Sequence, residues 1–399
     1  MNPHLDRLQP YPFQKLAALL RGVEPPAGLP AINLSIGEPK HPTPEFIKHA
    51  LADNLDGLSA YPATQGGPGL RNSIAAWLKT RYRLPEISAD TQVLPVNGSR
   101  EALFAFAQAV VDASRPGPVV VCPNPFYQIY EGAAWLAGAT PQFLNMLPEQ
   151  DFAPDFGQLP EAVWRRAQLV YVCSPGNPTG AVITLEQWRE LFELSDRHGF
   201  VIAADECYSE IYFDETHPPL GALEAAHALG RGDFRRLVVF SSLSKRSNVP
   251  GLRSGFVAGD AAILERFLLY RTYHGCAMGP AVQAASERAW RDEAHVAENR
   301  RLYRQKFAQA VELLLPALPV QRPAAGFYLW ARTPIPDTDF ARELVRRYNV
   351  TVLPGSYLAR EVRGINPGRD FVRIALVASP EACAAAARRM AEFAAALPR

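Results

Sequence analysis

Four short apolar runs, each followed by polar residues, glycines or prolines, constrain the fold of this chain more than any other feature. The runs cover residues 118–122, 168–173, 200–204 and 236–240. Continuous apolar strands separated by helical segments are typical of a mostly parallel sheet with helices on both faces. We therefore predict an α/β fold with a ligand crevice beyond the carboxyl ends of the strands.

Five side chains with useful chemistry follow the ends of predicted strands. They are Ser99, Tyr127, Asn177, Asp205 and Lys245. Because the carboxyl ends of parallel strands meet at one edge of a sheet, we expect these side chains to line one crevice. This shared location is the main argument that the residues themselves provide for a functional site.

The segment 241–255, Ser-Ser-Leu-Ser-Lys-Arg-Ser-Asn-Val-Pro-Gly-Leu-Arg-Ser-Gly, indicates the chemistry of that site. A lysine held away from water can form an imine with an aldehyde. The hydroxyls of Ser242 and Ser244 and the guanidinium of Arg253 are groups that bind phosphate. An imine-forming lysine beside phosphate ligands suggests pyridoxal 5'-phosphate (PLP). Since a lone Ser-x-Ser-Lys is usually a solvated loop, this interpretation depends on the other strand ends.

Two further segments support a phosphate and a planar ring. Gly98-Ser99-Arg100 follows a short predicted strand that ends at Asn97 and opens an apolar helix. The free N–H groups and positive dipole end of a helix N-terminus suit a phosphate. Tyr127 lies in a proline loop where it could stack on a ring, although aromatic residues in such loops more often fill the core. Gly37 breaks a short strand and can bring the backbone close to a ligand.

Composition excludes several classes of function. The formal net charge of +1 gives no electrostatic basis for binding nucleic acid or a membrane surface. No apolar run approaches the ~20 residues of a membrane span, and because residues 1–20 lack a continuous apolar core we expect no signal peptide there. The five cysteines lack a Cys-x-x-Cys pair, and three of them lie in or after apolar runs, so we expect free buried cysteines in a reducing cytoplasm. The eight histidines lack paired ligand spacing, so we predict no metal site.

The 399 residues suffice for one large and one smaller domain. Long helical segments over 264–315, with a linking helix at 281–311, lead to short predicted strands at 326–330, 350–353 and 371–376 and a closing helix at 384–397. We predict a large PLP-binding domain over 45–285 and a smaller α+β domain formed by 1–44 with 286–399.

Taken together, these residues resemble the fold-type I PLP enzymes, and among them the class I/II aminotransferases, from about residue 33 to residue 373. The matching pieces are Gly37, Tyr61, Gly98-Ser99-Arg100, Tyr127, Ser-Pro-Gly-Asn-Pro-Thr-Gly at 174–180, Asp205-Glu-Cys-Tyr208, Ser242-Leu-Ser-Lys245, Gly251-Leu-Arg253 and Arg373. The most specific part is the series Asn177, Asp205, Lys245 and Arg253, separated by 28, 40 and 8 positions. Ser254 departs from the apolar residue that is usual after this arginine.

The resemblance implies catalytic roles for three residues and ring contacts for two more. Lys245 would bind PLP covalently and, once released by an amino acid, move a proton between the substrate Cα and C4′. Asp205 would pair with the pyridinium nitrogen. Asn177 and Tyr208 would hydrogen-bond the phenolic oxygen, and Tyr127 would stack on the ring.

The remaining implied roles concern the phosphate and the substrate. Residues that would hold the phosphate are Ser99, Arg100 through its backbone, Ser242, Ser244 and Arg253. Tyr61 would reach the phosphate of a neighbouring subunit, which implies a homodimer with shared active sites. Arg373 would bind the substrate α-carboxylate in a bidentate pair, with help from Asn177 and the Gly37 backbone.

The segments 35–44 and 244–256 look most like those of bacterial N-succinyldiaminopimelate aminotransferases of lysine biosynthesis. Such an enzyme exchanges N-succinyl-LL-2,6-diaminopimelate and 2-oxoglutarate for the 6-oxo compound and glutamate. Both substrates are acidic at the far end, so a second cation is needed, and Lys40, Arg100 and Arg21 are candidates.

The alternatives are an aspartate, alanine or aromatic aminotransferase, a PLP-dependent C–S β-lyase, and a PLP-binding regulator without enzymatic activity. Intact Lys245 and Arg373 argue against the regulator.

Overall fold

The computed structural model describes residues 1–397 and contains twelve strands and fourteen α-helices within them. The strands are β1 (Ile32–Asn33), β2 (Val93–Val96), β3 (Val119–Asn124), β4 (Thr140–Asn145), β5 (Ala167–Cys173), β6 (Val201–Asp205), β7 (Leu237–Ser242), β8 (Gly255–Gly259), β9 (Tyr328–Arg332), β10 (Val350–Thr351), β11 (Leu353–Pro354) and β12 (Phe371–Ala375).

The α-helices range from one turn to six turns. They are α1 (Pro12–Leu19), α2 (Glu45–Ala52), α3 (Pro68–Tyr82), α4 (Ser99–Val110), α5 (Ile129–Leu136), α6 (Glu161–Trp164), α7 (Leu185–His198), α8 (Ala222–Ala228), α9 (Leu243–Arg246), α10 (Ala261–His274), α11 (Pro280–Arg291), α12 (Ala294–Leu314), α13 (Asp337–Tyr348) and α14 (Pro380–Ala395). No helix in residues 1–397 combines the length and the apolar character needed to cross a bilayer.

A seven-stranded sheet forms the centre of the molecule, in the order β2-β8-β7-β6-β5-β3-β4. Only β8 runs against its neighbours, and the other adjacent pairs are parallel. Every residue of β3 and β5 is buried, because helices pack on both faces. This confirms the predicted α/β fold with a mostly parallel sheet.

Local sequence signals fix the ends of the helices that cover the sheet. Thr184 and Gln187 form a reciprocal capping box at the start of α7, and Gly199 ends this helix with φ 82°. Asp260 caps α10 by accepting from the N–H groups of Ala262 and Ile263.

A second, smaller group of strands draws the two ends of the chain together. β9, β11 and β12 form an antiparallel sheet in the order β11-β12-β9, while β1 pairs with β10 in parallel. The Ala375 N–H donates to the Leu34 carbonyl at 2.8 Å, so the segment after β1 lies beside β12. This contact brings two parts of the chain separated by more than 300 residues to the same place.

The predicted linking helix over 281–311 is wrong in one respect, since it is divided into α11 and α12. Asp292 leaves the helical conformation with φ −108° and ψ 125°, and its carboxylate accepts from the His295 N–H at 3.0 Å. A short acidic side chain that accepts a hydrogen bond from a nearby backbone N–H competes with the backbone hydrogen bonds of the helix. The prediction also missed β4, which is only half apolar, and β8, which begins and ends with glycine.

Candidate active site

A cavity of about 470 Å³ lies beyond the carboxyl ends of the central strands. Twelve of the thirteen predicted site residues line it: Gly37, Ser99, Arg100, Tyr127, Asn177, Asp205, Tyr208, Ser242, Ser244, Lys245, Arg253 and Arg373. The exception is Tyr61, which does not line the cavity and has a fully exposed side chain.

The register of three parallel strands explains this convergence. Cys173 at the end of β5 pairs with Asp205 at the end of β6, which in turn pairs with Phe240 of β7. The turn that carries Asn177 and the short helix α9 that carries Lys245 therefore start from the same edge of the sheet as Asp205.

Lys245 projects into the cavity, and its Nζ donates to the Gly37 carbonyl at 2.5 Å. Burial lowers the pKa of Lys245 to about 8, and the charges of Arg373 and Arg100 act in the same direction. About a tenth of this amine is therefore neutral at pH 7, far more than of an ordinary lysine, and the neutral form is the one that a nucleophile or a general base requires.

Asp205 is buried at the end of β6. Burial raises the pKa of its carboxyl, and hydrogen bonds from Tyr130 and Cys207 oppose that effect. The Tyr130 O–H donates to Oδ2 at 2.7 Å, and the Cys207 N–H donates to Oδ1 at 3.2 Å. A buried carboxylate of this kind is suited to a cationic partner inside the cavity.

Arg373 extends from β12 into the opposite side of the cavity and is also buried. One guanidinium N–H donates to Asn177 Oδ1 at 3.0 Å and another to the Ser35 carbonyl at 2.8 Å. Its Nε has no partner, and no carboxylate of residues 1–397 forms an ion pair with it. A buried, unpaired guanidinium is suited to an incoming carboxylate.

The start of α4 and the Arg253 guanidinium meet at one corner of the cavity. Gly98 precedes the helix with φ 88°, and a Cβ at this position would lie only 2.2 Å from Arg253 Nη2. The positive φ favours glycine there, and any other side chain would also displace the guanidinium from this corner. The hydroxyls of Ser99, Ser242 and Ser244 line the same cavity, so this corner offers the donors that a phosphate binds.

Three tyrosines, Tyr127, Tyr208 and Tyr328, also line the cavity. The Tyr127 hydroxyl accepts from Arg100 Nε at 2.5 Å. The Tyr208 and Tyr328 hydroxyls lie 2.9 Å apart, and the Arg373 guanidinium lies 4.4 Å from the centre of the Tyr328 ring. Tyr328 therefore contacts both Tyr208 and Arg373.

Sequence reasoning did not single out Tyr328, Cys207 or Tyr130. Tyr328 belongs to a predicted strand, and nothing in its sequence distinguishes it from a core tyrosine. The hydrogen bond of Tyr130 to Asp205 spans 75 positions. Residues 11–13, at the start of α1, also line the cavity.

The three candidates for a second cation differ in whether they line the cavity. Arg100 lines the cavity. Lys40 does not line it and forms an exposed ion pair with Glu38. Arg21 is exposed and lies outside the lining.

Glu101, His274 and Cys276 form a group of three potential metal ligands outside the cavity, which their sequence spacing did not indicate. Both carboxylate oxygens of Glu101 accept hydrogen bonds from the buried Arg271, at 2.7 and 2.9 Å. This cation already balances the carboxylate charge, so we assign no metal to the group.

The cavity fits PLP by the chemistry of its donors. A lysine with a lowered pKa, a buried carboxylate and a corner formed by hydroxyls, a helix start and a guanidinium match the aldehyde, the ring nitrogen and the phosphate of this cofactor. The unpaired Arg373 lies across the same cavity, where a substrate carboxylate would be needed.

Comparison with known proteins agrees with this geometry. The family model described as aminotransferase class I and II matches residues 30–390. Among curated relatives, the LL-diaminopimelate aminotransferase of Dehalococcoides mccartyi is 30% identical, with 98% of each chain covered. The enzyme of the same name from Nitratidesulfovibrio vulgaris (strain Hildenborough) is 32% identical at the same coverage.

Solved structures give the same result. An aminotransferase from Neisseria meningitidis Z2491 is 52% identical, with a TM-score of 0.96 and coverage of 98% of this chain and 100% of that chain. A probable N-succinyldiaminopimelate aminotransferase from Thermus thermophilus is 28% identical, with a TM-score of 0.83 and coverage of 96% and 99%.

Proposed function

Because this chain belongs to the class I and II aminotransferases, which are PLP-dependent enzymes acting on amino and oxo acids, we propose that it transfers the amino group between N-succinyl-LL-2,6-diaminopimelate and 2-oxoglutarate. The observation that carries the proposal is the convergence of the Lys245 amine, the Asp205 carboxylate and the unpaired Arg373 guanidinium on one cavity.

When bound, PLP supplies an electron sink that makes the proton on the substrate Cα removable. Lys245 would remove that proton and return it to C4′, a task for which an amine with a pKa of about 8 is suited. Asp205 would hold the proton on the ring nitrogen. Asn177 and Tyr208 would bind the phenolic oxygen, and Tyr127 would stack on the ring.

The phosphate is held by the Ser99 hydroxyl and the Arg100 N–H at the start of α4, together with Ser242, Ser244 and Arg253. Tyr61, exposed in a single chain, reaches the phosphate of a second copy in a homodimer. We assign the cofactor to a large domain over 45–285, closed by a small domain of 1–44 with 286–399.

The substrate is held at both ends. Arg373 binds the α-carboxylate, with Asn177 and the Gly37 backbone beside it. Arg100, on the same cavity, binds an acidic group at the far end. Glutamate and diaminopimelate derivatives both carry such a group, so one cavity serves both halves of the exchange.

Two observations support the proposal that the substrate is a diaminopimelate derivative. The Thermus structure is described as a probable N-succinyldiaminopimelate aminotransferase, and the segments 35–44 and 244–256 resemble that group. The names of the curated relatives favour a second candidate, unsubstituted LL-diaminopimelate. The two candidates differ at the far nitrogen, which is an uncharged amide in the first and a cation in the second.

The test begins with the absorption spectrum of the purified protein loaded with PLP. Glutamate should bleach the visible band of the bound cofactor, and an oxo acid that restores the band is an acceptor. A protein that shows no such band after PLP is added would refute the PLP-dependent function.

Substrate choice is then tested by measuring glutamate formed from 2-oxoglutarate with each amino donor. We expect N-succinyl-LL-diaminopimelate to give the highest kcat/KM, above LL-diaminopimelate, aspartate, alanine and phenylalanine. A higher value for LL-diaminopimelate would select the second candidate. Pyruvate and ammonia released from cystathionine without 2-oxoglutarate would indicate a β-lyase.

A further inference from the structure

Tyr130 is a buried tyrosine with a defined hydrogen-bond partner in the active site. It lies in the first turn of α5 with no exposed side-chain surface, and its hydroxyl donates to Asp205 Oδ2 at 2.7 Å. Its ring stacks on Tyr171, with centroids 4.6 Å apart and planes 12° apart. Its ring also meets Tyr127 edge to face, with centroids 5.8 Å apart. These contacts leave the hydroxyl little freedom to move.

The hydrogen bond favours one charge state of Asp205. An O–H that donates to a carboxylate stabilises the ionised form more than the neutral form, which opposes the cost of burying the charge. The Tyr130 hydroxyl donates a hydrogen bond to Oδ2 of Asp205, while the Cys207 backbone N–H donates one to Oδ1. Two donors on two oxygens fix the plane of the carboxylate and leave lone pairs free for a cation in the cavity.

We propose that Tyr130 is a positioning residue whose hydroxyl keeps the Asp205 carboxylate ionised and oriented toward the ring nitrogen of PLP. This inference rests on the proposed role of Asp205 and extends it to a residue that does not line the cavity. Tyr130 acts through Asp205, so removing its hydroxyl should weaken binding of the cofactor without removing any direct contact.

Tyr171 provides a matched control within the same stacked pair. It is equally buried, but its hydroxyl donates to the Leu103 backbone carbonyl at 2.6 Å. Tyr130→Phe and Tyr171→Phe therefore remove the same atom from neighbouring rings in the same core. Only the first change removes a bond to a charged group.

The experiment measures the affinity of the apoprotein for PLP by equilibrium dialysis. The proteins compared are the wild type, Tyr130→Phe, Tyr171→Phe, Asp205→Asn and the double variant Tyr130→Phe/Asp205→Asn. We expect Tyr130→Phe to weaken binding about ten-fold, since hydrogen bonds to charged groups are stronger than neutral ones, and Tyr171→Phe to change it less than about two-fold. With Asn at position 205, adding Tyr130→Phe should change the affinity less than about two-fold, because the coupled partner is gone.

Equal affinities for the two phenylalanine variants would overturn the proposal, as would a full ten-fold loss in the Asp205→Asn background. An unchanged affinity in Asp205→Asn itself would overturn the role of Asp205 and the inference with it. If Asp205→Asn weakens binding while Tyr130→Phe behaves like Tyr171→Phe, the role of Asp205 stands and only that of Tyr130 falls.

A second measurement covers the case in which Tyr130→Phe does not fold. Incorporating 3-fluorotyrosine at position 130 by nonsense suppression keeps the ring and hydroxyl but makes the hydroxyl a stronger donor. We expect tighter PLP binding from this change at position 130 and no change from the same substitution at position 171. Identical affinities at the two positions would overturn the proposal.

Discussion

The two ends of the cavity differ in burial. We infer that the buried end determines the type of reaction and the exposed end the choice of substrate. At the sheet end, Asp205 is only 4% exposed and accepts hydrogen bonds from Tyr130 and Cys207. At the outer end, Arg100 is exposed and Ile36 is 44% exposed.

Charges interact strongly where water is excluded and weakly where it is not. Residues at the sheet end can therefore determine the type of reaction, whereas those at the outer end adjust affinity by smaller amounts. Relatives that share the sheet end can then act on different amino acids. The predictions below test this division, from the largest expected effect to the smallest.

Lys245→Ala removes the amine that we propose to bind PLP and to move the substrate proton. We expect turnover to be abolished and no PLP to be fixed to the protein by borohydride, although PLP stays bound through its phosphate. Mass spectrometry of the reduced protein measures this outcome. Lys306 offers an internal control, since burial also lowers its pKa to about 8 although it lies outside the cavity. Covalent PLP at Lys306 in the variant would show that the choice of lysine is wrong.

Arg373→Ala removes the buried cation across the cavity. We expect binding of every substrate carboxylate to weaken by about 2–5 kcal/mol, because truncating one partner of a buried charge pair carries that cost. The KM values of glutamate and of the oxo acids report it. Arg332→Ala is the matched control, because Arg332 lies on the neighbouring strand β9 but is exposed. A loss confined to one substrate would contradict the common role of Arg373.

The pH dependence of PLP capture tests whether burial governs the sheet end. Burial lowers the pKa of Lys245 to about 8, so the amine is protonated below that pH and neutral above it. Only the neutral amine attacks an aldehyde. The rate constant for covalent capture by the apoprotein, followed by stopped-flow absorbance, should rise about ten-fold per pH unit below 8 and level off above it. A rate that still rises steeply past pH 9 would indicate a lysine with an ordinary pKa.

Arg100→Gln tests the outer end and should have the smallest and most selective effect. We expect kcat/KM to fall about ten-fold for substrates with a far acidic group and to change little for alanine, because an exposed cation contributes modestly and only to the group that it contacts. Lys40→Gln is the control, since Lys40 does not line the cavity. An equal loss for alanine would mean that Arg100 acts at the sheet end, through Tyr127 or the phosphate.

The sequence predicted the sheet end of the site because its information is local. Ser99, Asn177, Asp205 and Lys245 each follow a predicted apolar strand within a few positions. A mostly parallel sheet brings the carboxyl ends of such strands together independently of the conformation of the loops. The α/β fold and the cofactor follow from that rule and from residues that bind an aldehyde and a phosphate.

The tertiary structure alone decided the contacts between distant segments. The packing of the loop after β1 against β12 places Ser35 and Gly37 beside Arg373 and Lys245. The register of β12 with β9 brings Tyr328 beneath the same guanidinium, and the placement of α5 brings the Tyr130 hydroxyl to Asp205. None of these pairs has a short-range signal, because each depends on how two elements pack rather than on what either contains.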